Sequence, residues 1–203
     1  ELKPAYDFVV LAVGAPVPGA LHLEQGQALN ALDFLEAFNR QQGQLDIGRR
    51  VVVIGGGNTA MDTARAAKRT AGVEQVTLVY RRTSRYMPAA EEELQMALAE
   101  GVAFLELLAP VSLANGTLTC RKMQLGDLEA RGRRGIVETD ELVQVPADTV
   151  ISAVGELVPA SFYQACGLQL TRPGQPVVDE QSLDTSLPGV YAVGHRLHAP
   201  APL

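Results

Sequence analysis

The stretch Val51–Asp62, VVVIGGGNTAMD, constrains the fold more than any other part of this chain. Val51 to Ile54 form an apolar run with no polar alternation, which suits a central parallel strand buried on both faces. The residues after it read Gly55-x-Gly57-x-x-Ala60, the dinucleotide fingerprint with alanine at the third small position. Each position answers a separate demand. Gly55 makes the tight turn off the strand, Gly57 lets a pyrophosphate approach the backbone, and Ala60 lets the helix pack close to the sheet. The phosphates would then meet the free N–H groups and positive end of a helix opening near Asn58 or Thr59. A glycine pattern alone also fits a plain structural turn. The apolar strand before it and the helix after it favour a nucleotide.

A second strand, Gln75–Tyr80 (QVTLVY), follows once Gly72 has stopped the helix. The whole strand–turn–helix–strand unit has the length of a βαβ crossover, about 30 residues. Its second strand sets the cofactor preference. An NAD site carries an acidic residue about 20 residues beyond the motif, where it accepts from the ribose hydroxyl. This chain has Tyr80-Arg81-Arg82 there, with Arg85 close behind. Guanidinium groups hold a 2′-phosphate bidentately, so Arg81 and Arg82 favour NADP over NAD. A solvated surface loop is the alternative. Asp62, one helical turn inside the motif, is expected merely to assist the helix N-terminus.

Around this unit the chain keeps alternating. Phe8–Val13 is a strand-sized run closed by GAPVPG, and Ala28–Phe38 reads as a helix with Ala28, Leu32, Leu35 and Phe38 on one face. Pro88, three glutamates at Glu91–Glu93, and Gly101 bound another helix whose apolar positions are Leu94, Ala97 and Leu98. Val102–Leu107 is the next strand. Val111–Leu113, Thr117–Leu125 and Ile136–Val145 alternate between turn residues, as an antiparallel meander does. The reading is α/β: a Rossmann-like domain with Val51–Ile54 central, next to Val76–Tyr80 and then Val102–Leu105, all parallel. One grammar occurs three times: DFVVLAVGA, DTVISAVGE and GVYAVGH each place a strand directly before a glycine. If the middle of the chain is an inserted domain, the outer two should lie side by side.

Composition excludes several classes. The 203 residues carry 17 Lys and Arg against 23 Asp and Glu, a formal charge of −6, which argues against a general nucleic-acid binder. No segment approaches roughly 18 uncharged apolar residues, and the start lacks a signal peptide, so a cytoplasmic protein without a membrane span is expected. Two cysteines, Cys120 and Cys166, cannot build an iron–sulfur cluster or a thiolate zinc site. His22, His195 and His198 have no partners at ligand spacing, so no metal site is expected, and no serine–histidine–acid order stands out. Arg131, Arg133 and Arg134 flank glycines as a solvated hairpin tip does, or else face a partner domain.

The longer motifs carry a resemblance. YDFVVLAVGA, ALDFLEAF, RRVVVIGGGNTAMDTARAAKR, VTLVYRRTSRYMPAAEEEL, GDLEARGRRG, PADTVISAVGE and PGVYAVG run through nearly the whole chain. Together they resemble the small (beta) subunit of glutamate synthase and its relatives among flavoproteins with two dinucleotide-binding domains. Within that group they are most similar to the large iron–sulfur oxidoreductase subunits associated with selenate reduction.

That resemblance implies an NADPH domain at 15–153 inserted in an FAD-type domain, of which 1–14 and 154–203 are remnants. Carried onto this chain, Gly55, Gly57 and Ala60 are pyrophosphate-binding positions, Asn58 and Thr59 open the helix, and Arg81 and Arg82 clamp the 2′-phosphate. The implied reaction is hydride transfer between NADPH and FAD, with electrons passing through iron–sulfur clusters to a reductive partner. Partner domains or subunits of an electron-transfer oxidoreductase follow from it. No catalytic residue is assigned, because the protein's share is orientation of the cofactors. FAD and the clusters are expected only in a full-length protein, and the fragment alone should be inactive. The family has Gly-Asp after its last strand. This chain has Gly194-His195, and an imidazole cannot make the acceptor contacts of a carboxylate. A non-catalytic Rossmann module that senses NADP(H) or scaffolds a complex is the competing class.

Overall fold

The computed structural model describes residues 5–15, 17–128, 134–172 and 174–194. Arg131, Arg133, His195 and His198 lie outside the described residues. The chain divides into two compact units, Gly19–Gly155 and the flanking pair Glu1–Pro18 with Glu156–Leu203. The strands in order are β1 (Val9–Leu11), β2 (Val17–Pro18), β3 (Leu29–Asn30), β4 (Arg50–Ile54), β5 (Gln75–Tyr80) and β6 (Ala103–Glu106). They continue as β7 (Leu108–Ala114), β8 (Thr117–Leu128), β9 (Arg134–Pro146), β10 (Thr149–Ser152), β11 (Glu156–Leu157) and β12 (Val190–Ala192). The helices are α1 (Ala31–Arg40), α2 (Asn58–Lys68), α3 (Glu91–Ala99) and α4 (Ala160–Ala165).

In the unit Gly19–Gly155, five parallel strands stand in the order β3-β10-β4-β5-β6. The three strands expected to be adjacent are so, with β4 at the centre. The apolar run of β4 is unbroken because both faces are covered. Val51 and Val53 pack with Val76, Leu78 and Ile151 against Phe34 of α1, the small residues Ala60, Ala64 and Ala67 of α2, and Leu94 and Ala97 of α3. Val52, Ile54, Val79 and Val150 face the other way, onto Leu118, Cys120 and Val145. Those last residues belong to the antiparallel meander β7-β8-β9. Leu78 is fully buried, and truncating such a side chain to alanine costs about 2–5 kcal/mol.

Helix α1 departs from expectation. It begins at Ala31 rather than Ala28, because the Asn30 side chain caps the Leu32 and Asp33 N–H groups. The later start turns the buried face to Ala31, Phe34, Leu35 and Phe38. Leu32 is left exposed, and Ala28 packs with the opposite face of the sheet.

In the flanking unit, β1 pairs with β12 in parallel, Val9 opposite Val190 and Leu11 opposite Ala192. The Val9 N–H donates to the Gly189 carbonyl at 2.9 Å, which starts that ladder. The outer two strand-then-glycine segments therefore meet. β2 and β11 form a short antiparallel pair, and Tyr163, Leu168 and Val190 make a small core with Val9, Leu11 and Leu187. Among the described residues no helix is long and apolar enough to cross a membrane.

Candidate functional site

The turn after β4 is pinned from both sides. The Gly55 N–H donates to the Val79 carbonyl of β5 at 3.1 Å, and the Ala153 N–H, just beyond β10, donates to the Ile54 carbonyl at 2.8 Å. A Cβ on Gly55 would fall on the Ala153 carbonyl and stand 3.0 Å from the Ala60 methyl. This is the tight approach that Gly55 and Ala60 make possible between turn, sheet and helix. Gly56 has its own constraint, since a Cβ there would collide with the Tyr80 ring. Gly57 differs from both. A Cβ on it would meet nothing within 4 Å, so its bare face opens onto space.

Gly57 is also the N-cap of α2 and offers no side chain to it. Its carbonyl takes the Ala60 and Met61 N–H groups at 2.9 and 3.3 Å. Asn58 and Thr59 supply the orphan donors that a helix start leaves. The Asn58 side chain braces a neighbour instead of capping, its Oδ1 accepting from Ala90 N–H at 3.3 Å. Thr59 is half-buried, and its carbonyl accepts from the Thr63 hydroxyl at 2.6 Å. Asp62 is exposed beyond the first turn, which contains no acidic residue, so it does not assist the helix start.

The end of β5 completes the arrangement. Tyr80 is buried and donates its hydroxyl proton to the Tyr86 carbonyl at 2.9 Å, while Ala89 N–H donates to the Gly56 carbonyl at 3.0 Å. Strand end, following loop and glycine turn are thus one braced structure. Arg81 emerges exposed and Arg82 half-buried, and the Arg85 guanidinium carbon lies 5.9 Å from the centroid of the Tyr86 ring. Neither Arg81 nor Arg82 has an ion-pair partner among the described residues. Two features of this structure fit a dinucleotide: a bare Gly57 face at an uncapped helix end, and guanidinium groups unmatched by carboxylates. Sequence reasoning missed Gly56 and Tyr80. The middle glycine of the run was a signal, but its cause lies across the sheet.

Neither thiol lies in the glycine turn or in the loop after β5. Cys120 is buried in the meander, where desolvation pushes its pKa up to about 12, and Cys166 is exposed. Both are free. No group of three or more histidine, cysteine or acidic side chains suited to a metal occurs among the described residues.

A parallel sheet whose central strand runs through a glycine turn into an uncapped helix defines the class of Rossmann-like α/β dinucleotide-fold proteins. Within that class the chain belongs to the pyridine nucleotide-disulphide oxidoreductase family, whose sequence pattern matches residues 1–199. YgfK of Escherichia coli K12, named an oxidoreductase, is 40% identical over 97% of this chain and 19% of its own length. The glutamate synthase [NADPH] small chain of Azospirillum brasilense is 35% identical over 96% of this chain and 44% of its own. The chain therefore spans less than half the length of either relative. FprA of Mycobacterium tuberculosis, solved in complex with NADPH, shares the fold with a TM-score of 0.73 at 22% identity, over 95% of this chain and 58% of that one.

Proposed function

We propose that residues 15–153 are the NADPH-binding domain, and 1–14 with 154–203 two segments of an FAD-type domain, of an iron–sulfur flavoprotein oxidoreductase. The observation that carries this reading is the open Gly57 face at the start of α2, with two arginines at the end of β5 that have no ion pair among the described residues. In it, the N–H groups of Asn58 and Thr59 hold the pyrophosphate, and Gly55, Gly57 and Ala60 give it room. Arg81 and Arg82 hold the 2′-phosphate. NADPH, when bound, supplies a hydride for a flavin. The chain's own residues bind and orient the nucleotide. The NADPH in the name of the Azospirillum relative supports the cofactor, and its designation as a small chain supports a partner subunit.

The FAD pyrophosphate site and the iron–sulfur ligands are assigned to parts of the full-length protein beyond this chain's single glycine motif and two cysteines. Titration of the purified chain with NADPH, NADH and FAD tests the reading. NADPH binding at one site by a colourless protein is expected. Stoichiometric bound flavin, or no response to NADPH, overturns the assignment.

A further inference from the structure

The charges of the unit Gly19–Gly155 are distributed unevenly. Arg40, Arg49, Arg50, Arg65, Arg69 and Arg121 each pair with a carboxylate. Arg81, Arg82, Arg85 and Arg134 do not, among the described residues, although the chain as a whole carries a charge of −6. Three of these four follow β5 directly. The fourth comes from far along the chain, at the start of β9, and the fold brings it to Arg82. The Arg82 Nε donates to the Arg134 carbonyl at 3.4 Å, and the Arg134 Nε donates across the hairpin to the Gly126 carbonyl at 2.7 Å. Each guanidinium is thus anchored through Nε alone, and its two terminal nitrogens have no partner among the described residues.

A guanidinium held this way presents its outer edge for bidentate contact with a phosphate. Arg82 reaches the backbone of Arg134, and neither guanidinium has a carboxylate partner among the described residues, so both charges are available to one anion. Glu106, at the end of β6, accepts from Ser84 N–H at 2.8 Å and forms no ion pair with these arginines among the described residues.

We propose that the described part of the β8–β9 hairpin, at Gly126 and Arg134, is a wall of the 2′-phosphate site, with Arg134 a specificity-determining residue beside Arg82. This replaces the solvated-tip reading of Arg134, and it rests on the NADPH assignment above. The backbone carbonyl of Arg134 positions Arg82, and its side chain adds a charge that the first βαβ unit does not supply.

Isothermal titration with NADPH and NADH, and with 2′,5′-ADP and 5′-AMP as probes lacking nicotinamide, tests it on the native chain, Arg134→Ala and Arg134→Gln. Glutamine keeps a donor for Gly126 and removes the charge, so it carries the test if alanine loosens the hairpin. Lys122→Ala, on the same hairpin but paired with Glu141, is the control. Loss of Arg134 should weaken NADPH and 2′,5′-ADP roughly 3- to 30-fold, as for an exposed, screened phosphate contact. NADH and 5′-AMP should change by less than about twofold, since they lack the group the charge acts on. A native preference for NADPH that survives in Arg134→Gln overturns the hairpin inference and leaves the NADPH reading standing. Equal native affinities for NADPH and NADH overturn both.

Discussion

The ring of Tyr80 lies against Gly56, so closely that a Cβ on the glycine would stand 2.6 Å from the tyrosine Cδ2. This contact joins the end of β5 to the glycine turn and gives the three glycines different duties. Gly56→Ala should destabilise the fold by about 1–3 kcal/mol, the cost of overpacking a tight contact. Gly57→Ala meets no neighbour and should cost less, about 0.5–1 kcal/mol as a poorer N-cap, while it weakens nucleotide binding. Thermal unfolding separates the two variants, and a nucleotide titration completes the comparison. Equal loss of stability in both would contradict this division.

Asp148 ties the starts of two central strands together. Its Oδ2 accepts from the Arg49 and Arg50 N–H groups at 3.0 and 2.9 Å, and it pairs with the Arg50 guanidinium. The side-chain hydrogen bond from Arg50, then those from the backbone, hold its pKa well below the usual carboxylate range, against the opposing effect of burial. A lowered folded pKa means the stabilisation is fully present above the unfolded value, about 3.9, and is lost as pH falls through the folded one. Asp148→Asn should therefore unfold at a lower temperature than the native protein at neutral pH. The gap should shrink as pH drops below about 4. A gap independent of pH would remove the charge from the explanation.

The two cysteines should separate cleanly. One thiol, Cys166, is expected to react with an aromatic disulfide reagent at mildly alkaline pH in the folded protein. Cys120 should join it only in denaturant, because burial keeps its thiol protonated and covered. Two fast-reacting thiols in the native state would place Cys120 outside the core.

How much of this was legible in the sequence depended on the range of the interactions. β4, α2 and β5 were readable because unbroken apolar runs and small residues at helical spacing report local burial directly. The meander was readable from its alternation. The start of α1 was misread because the Asn30 cap outweighs the apolar residue before it. β3 was missed, since two residues carry no period. The insertion of β10 between β3 and β4 depends on pairing between distant segments, such as Ile151 with Val53 and Leu29, which no local pattern records. At the site, Gly55, Gly57, Ala60 and the two arginines could be picked out by motif. Gly56, Tyr80 and Arg134 owe their places to contacts across the sheet and the hairpin.

The central claim is that Arg81 and Arg82 select the phosphorylated nucleotide. Charge-assisted contacts contribute about 1.5–3 kcal/mol each before screening by salt. At 1.4 kcal/mol per tenfold in affinity, the pair should favour NADPH over NADH by roughly 10- to 1,000-fold. Isothermal titration of both nucleotides against the native chain and the Arg81→Ala, Arg82→Ala double variant measures this directly. The account predicts that the double variant loses most of the preference and binds NADH nearly as the native chain does, because the contacts at Gly55–Ala60 remain. Equal affinities for NADPH and NADH in the native chain would contradict it.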